Sequence, residues 1–123
     1  MAQLLEEGSS EREDFRNYAL GQIEYALGST GRSFVVGFGE NPPTAPHHAS
    51  SSCPPAPQTC DWGTFSTPGP NYHTLYGALV GGPGDLNDDS LNDVRNDYIE
   101  NEVTLDYNSG FQSALAGLLQ EAC

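Results

Sequence analysis

The stretch Asn101–Leu119, NEVTLDYNSGFQSALAGLL, joins a carboxylate-rich segment to an apolar run with helical spacing. Phe111, Leu115, Leu118 and Leu119 fall at i, i+4, i+7 and i+8, and Ser109 with Gln112 has the form of a capping box. The helix is therefore expected to start at Ser109 or Gly110. Glu102 and Asp106 then lie on an approach loop held against a rigid element, a setting in which functional carboxylates occur. The plainer alternative is that both are solvated surface groups.

Working outward, 123 residues are enough for one ordinary domain and too few for two. Seventeen Asp and Glu face four arginines (Arg12, Arg16, Arg32, Arg95), there is no Lys, and the net charge is −13. Nucleic-acid affinity rests on cations that displace counterions, so nucleic acid is excluded as a partner. No apolar run reaches the roughly 18 residues of a membrane span, and MAQLLEEGSS lacks the basic start and apolar stretch of a signal peptide. Cys53 and Cys60 bracket the proline-stiffened CPPAPQTC, which suits either a disulfide or two reduced thiols. The third cysteine is Cys123.

Upstream, MAQLLEEG reads as the tail of a helix ending at Gly8. SSEREDFRNYALGQIEYALG is a clearer helix. Ser10 and Glu13 form a capping box, Phe15, Ala19, Ile23, Ala26 and Leu27 trace a stripe, and Gly28 supplies the stop. RSFVVGFG reads as a short extended piece. From Glu40 to Asn71 the chain is rich in Pro, Ser, Gly and Thr without apolar periodicity; NYHTLYGALVGG then recovers a helical stripe stopped by Gly81 and Gly82. A second loop, PGDLNDDSLNDVRNDYIE, leads back to Asn101. Three amphipathic helices, a truncated fourth and two long loops cannot enclose a site, so the chain reads as one side of a larger helical structure. A small independent bundle with loose loops is the alternative.

The chemistry-bearing residues sit in the loops. Asp85, Asn87 and Asp89 match the first ligand positions of an EF-hand, but Ser90 and Asn96 stand where Gly and Glu are required. The EF-hand reading fails, and a looser structural Ca²⁺ site stays open. His47, His48, Cys53 and Cys60 are zinc-ligand types, yet their spacing matches no standard zinc pattern, so no metal ligand is assigned. A histidine pair in a loop with Trp62, Phe65 and Tyr72 suits a polar ligand that stacks on aromatic faces, as sugars do. The chain has no G-x-S-x-G elbow, and FVVGFGENP lacks the third glycine of a phosphate loop.

Taken together, GRSFVVGFGENPPTAPHH, CDWGTF, YGALVGGP and NDYIENEVTLDYNSGFQSALAGL resemble the C-terminal part of glycoside hydrolase family 9 catalytic domains, in particular the animal-type endo-β-1,4-glucanases. The resemblance implies an all-α fold, with residues 1–123 forming the C-terminal helices of a partial (α/α)6 barrel with long irregular loops. It puts His47 at the family's substrate-binding histidine; Ala49 stands where an Arg is expected, removing a fork of donors. In the second signature Asp93, Tyr98, Glu102, Thr104, Asn108 and Ser109 match, whereas Leu91 replaces an aromatic. Glu102 falls on the general acid, with Asp93 and Asp106 in supporting, structural roles. His48, Trp62 and Tyr72 are further substrate-binding candidates. An inverting mechanism also needs a second carboxylate roughly 6.5–9.5 Å away to activate water. The family draws it from a D-A-G-D type motif near the start of the domain, and this chain has none.

The resemblance thus implies a fragment of a secreted, monomeric cellulase acting on cellulose or another β-1,4-glucan. It requires no cofactor and no membrane. The rival readings are a non-catalytic carbohydrate-binding remnant and a small acidic interaction protein.

Overall fold

The structure, a computed structural model, describes residues 6–84, 87 and 90–122. Most of the expected helix tail MAQLLEEG lies outside the described residues. Four helices follow in order: α1 (Ser10–Ala26), α2 (Ala49–Ser52), α3 (Trp62–Ser66) and α4 (Leu105–Ala122). Among the described residues there are no strands. Three isolated bridges join the loops instead: Val35 with Leu79, Val80 with Val103, and His47 with Glu102.

The α1 helix forms where its stripe places it, but its cap is Ser9 and not Ser10. Ser9 is extended (φ −72°, ψ 144°) and its hydroxyl accepts the Arg12 N–H at 3.3 Å, so Ser10 already lies inside the first turn. Gly28, at φ 96°, ends the helix as expected. Only Ile23 of the stripe is fully buried, and Phe15 remains 41% exposed.

The α4 helix begins at Leu105, a turn earlier than the capping-box pattern indicates. The Ser109 hydroxyl donates to the Asp106 carbonyl at 2.8 Å, a bond within the helix and not a cap. Asp106 therefore belongs to the first turn, where its charge opposes the helix dipole favourably. Glu102 stays outside the helix, as its spacing implied.

The helix expected over Tyr72–Val80 does not form. Gly77 takes φ 82°, and the main chain pairs outward: Val36 N–H donates to Ala78 C=O, and Val80 N–H to Phe34 C=O. The segment is extended because its backbone groups are satisfied by residues 34–36. Those residues also organise the core. Phe34 and Val36 pack with Val80 and Leu91 on one side, and Val35 packs with Ile23 and Phe111 on the other. This alternation is the strand periodicity expected of FVV.

The second cluster joins α1 to α4, with Leu27, Leu79, Leu115 and Leu118 around it. Arg12 and Arg16 near the start of α1 reach Glu121 near the end of α4, at 3.4 and 3.3 Å. Ile23 meets Phe111 at the opposite ends, so the two helices run antiparallel. These part-buried ion pairs link the two ends of the helix pair.

A close approach at Gly39 turns the chain toward the His47 loop. Gly39 has φ 76°, and a Cβ there would collide with the Leu27 carbonyl and approach Ser33 Cβ at 2.9 Å. Gly39→Ala is expected to cost at least about 2 kcal/mol, read as a lowered urea midpoint, because left-handed backbone and a collision with main chain add.

Candidate active site

His47 and Glu102, 55 positions apart, are brought side by side by main-chain pairing. The His47 N–H donates to the Asn101 carbonyl at 2.7 Å, placing the two residues in parallel register. Both side chains are half-buried. Glu102 makes no side-chain hydrogen bond or ion pair to the described residues, so its carboxyl group is available to a ligand.

Asn101 and Asp93 build the frame beneath them. Asn101 is fully buried, and its amide donates to Ala45 C=O at 2.6 Å, Val94 C=O at 3.3 Å and Asp93 Oδ1 at 3.4 Å. The Asp93 carboxylate accepts from Thr44 N–H (2.8 Å), Thr44 Oγ1 (2.9 Å) and Ala45 N–H (3.0 Å). With those acceptor sites filled, Asp93 holds the Thr44–His47 segment, a supporting position and not one facing a ligand.

The two histidines diverge. His47 Nδ1 lies 2.6 Å from the Arg95 carbonyl, which only accepts, so the ring proton is on Nδ1 and Nε2 is free to accept. His48 Nδ1 accepts the Ser51 N–H at 3.1 Å as the cap of α2, leaving its proton on Nε2. Adjacent rings thus carry opposite tautomers. His48 lines a cleft with Leu75, Tyr76, Val103 and Thr104. Ala49 opens α2 and is exposed.

Aromatic residues surround His47. Its ring packs edge-on against Phe65 at 5.5 Å and Tyr98 at 6.3 Å. Trp62 packs on Phe65 at 5.7 Å and is 80% exposed, so it joins the group through Phe65. Tyr72 is exposed, and among the described residues no ring contact or hydrogen bond brings its side chain to the others. Tyr98, matched in the motif, and Phe65 are the rings that pack on His47.

The aromatic loop is held by a disulfide and a cap. Cys53 and Cys60 are bonded, resolving the two readings of CPPAPQTC in favour of the disulfide. The Asp61 carboxylate caps α3 by accepting the Thr64 N–H at 2.9 Å, and that bond holds the carboxyl below its usual range. The cap therefore contributes at pH values above the unfolded carboxyl value near 3.9 and is lost as pH falls through the lowered native value. Acid titration is expected to fray α3 and shift the Trp62 fluorescence only below about pH 4. Asp97 is lowered likewise, first by the Glu100 N–H and then by that of Ile99, stabilising the turn before Asn101.

Among the described residues no three His, Cys, Asp or Glu side chains cluster as metal ligands, and Asp85 and Asp89 lie outside those residues. No described helix is long and apolar enough to cross a membrane.

The chain thus sets a half-buried glutamate beside a histidine whose ring is hydrogen-bonded and packed among aromatic side chains. Comparison with known proteins gives the class: the description Glycosyl hydrolase family 9 matches residues 1–115. The chain belongs to glycosyl hydrolase family 9. Endoglucanase B of Cellulomonas fimi is 50% identical over 110 residues, which cover 87% of this chain and 10% of that protein. The endoglucanase structure from the termite Nasutitermes takasagoensis superposes with a TM-score of 0.86 at 62% identity, covering 93% of this chain and 26% of that one. Endoglucanase CelQ from Clostridium thermocellum, solved with cellotriose, gives a TM-score of 0.75 at 43% identity, over 95% of this chain and 18% of that one. The chain thus spans between about a tenth and a quarter of the length of these relatives.

Proposed function

We propose that residues 1–123 are the C-terminal portion of a family 9 catalytic domain, a section of an (α/α)6 barrel whose parent is a secreted endo-β-1,4-glucanase. The observation that carries this is the pairing of His47 with Glu102 in a family 9 chain. Glu102 is the general acid that protonates the glycosidic oxygen as the bond breaks. His47 binds substrate, its Nε2 accepting a sugar hydroxyl, while Asp93 orients the loop. Trp62 and Tyr72 offer exposed aromatic faces to a glucan chain, and His48 lines the cleft with Leu75 and Val103. The reaction inverts configuration and needs no cofactor, because a carboxylate from the earlier part of the domain activates the water. A structural Ca²⁺ near Asp85–Asp89 is compatible with this reading. The parent acts as a monomer on cellulose or another β-1,4-glucan.

Surface features support a chain that is part of a larger body. Phe15, Tyr18, Leu105 and Leu119 are 41%, 69%, 89% and 65% exposed on the two long helices. These are the faces a neighbouring barrel helix would cover. The Cys53–Cys60 disulfide fits an oxidising compartment and hence secretion.

The purified 123-residue chain is expected to release no reducing sugar from carboxymethylcellulose, because it lacks the water-activating base. Hydrolysis that disappears in Glu102→Gln would overturn that expectation. Ala49 favours a second reading, a glucan-binding remnant without turnover: titration calorimetry with cello-oligosaccharides showing binding, with no activity in the extended protein, would select it.

A further inference from the structure

We infer that Arg95 is the positioning residue of this site, fixing the tautomer and ring orientation of His47 and the seating of the aromatic loop. Arg95 is 6% exposed in a chain whose other charge is overwhelmingly acidic, yet among the described residues its guanidinium meets no carboxylate. Its Nε donates to Asn71 Oδ1 at 2.6 Å, Nη1 to the carbonyls of Phe65 (2.8 Å) and Thr67 (2.7 Å), and Nη2 to that of Gly69 (3.0 Å). Longer contacts reach the carbonyls of Thr64 (3.4 Å) and Pro70 (3.3 Å). A buried cation satisfied by carbonyl dipoles from one loop acts as the keystone of that loop.

The same residue works on His47 from the other end. Its own carbonyl receives the His47 Nδ1 proton, and its partner Asn71 donates to Pro46 C=O (3.0 Å) and to Ser51 Oγ. Phe65, whose carbonyl it holds, lies edge-on to the His47 ring. The residue before His47, the ring on its flank and the acceptor for its proton therefore all converge on Arg95. A lysine would supply one compact charge with three donors in place of a planar fork, and could not span acceptors from Asn71 to Pro70.

This role rests on the glucanase reading for its purpose, but its test does not require glucan. In the ¹⁵N-labelled chain, His47 is expected to show a single tautomer protonated at Nδ1, with that proton and the Arg95 guanidinium protons exchanging in a common opening. Arg95→Lys is expected to lose the single tautomer while the Ile23–Phe111 contacts between α1 and α4 persist. A His47 tautomer unchanged in Arg95→Lys overturns the inference. If that variant does not fold, the native chain decides: a His47 proton exchanging freely while the Arg95 side chain stays protected overturns it equally. An inactive parent with these signatures intact would refute the glucanase reading alone.

Discussion

In the protein extended to include the opposing aspartate pair, Glu102→Gln is expected to lower kcat on carboxymethylcellulose by about 10²–10⁴-fold, with KM little changed. The carboxamide has nearly the shape of the carboxyl group but no acidic proton, so the leaving oxygen must depart as an alkoxide. The ground-state contact proposed for His47 is untouched. The substitution also strands nothing, because the Glu102 side chain has no hydrogen bond to the described residues and its main chain is held by the pairing with His47. An unchanged urea midpoint beside the lost turnover would separate chemistry from folding. A rise in KM with kcat preserved would place Glu102 in binding instead.

The second large effect concerns stability. Arg95→Met is expected to cost about 3 kcal/mol or more in urea unfolding. Methionine retains part of the apolar stem but leaves the carbonyls of Phe65, Thr67 and Gly69 and the Asn71 side chain without their donor. The loss should fall short of the sum of those bonds, since Thr67, Gly69 and Pro70 are exposed and their carbonyls can turn to water. Loosening of Trp62 before global unfolding, seen as a separate fluorescence transition, is expected because Arg95 and the disulfide hold one loop between them. A cost below about 1 kcal/mol would mean that the guanidinium is solvated and not structural.

What the sequence revealed, and what it hid, follows from the range of the forces involved. The α1 stripe and the Gly28 stop are local, and they hold. Ser9 and Ser10 are adjacent candidates for one cap, and only the extended backbone at Ser9 decides between them. Ser109 and Gln112 imitate a cap inside α4, because Asp-Tyr-Asn upstream gives no apolar periodicity to reveal the first turn. Tyr72–Val80 imitates a helix, since its apolar spacing carries no record of the extended segment at 34–36 that takes its backbone bonds. The neighbours Glu102 and His47 come together through main-chain bonds that leave no trace in side-chain spacing, so only the resemblance of both motifs to one family joined them. Arg95 was hidden for a related reason. Its carbonyl partners, some 25 to 31 positions away, have no side-chain signature.

Asp93 is a motif residue whose side chain binds the chain's own backbone. Its carboxylate is filled by Thr44 and Ala45. Asn101, fully buried between it and the Ala45 carbonyl, passes that order on to the residue that precedes Glu102. The site is thus assembled from three segments, Thr44–His47, Phe65–Asn71 and Asp93–Glu102, cross-linked by polar groups. Such a site is legible from motifs and opaque to hydrophobic periodicity.

The most direct test of the central claim, that Glu102 donates the proton to the leaving oxygen, compares two substrates in the extended protein. On cellotetraose, Glu102→Gln should lose about 10²–10⁴-fold in kcat, whereas on a cellobioside with a dinitrophenolate leaving group, which departs without protonation, it should retain most of the native rate. Equal losses on both substrates would contradict the account, because a residue that acts other than as the acid would not distinguish the leaving groups.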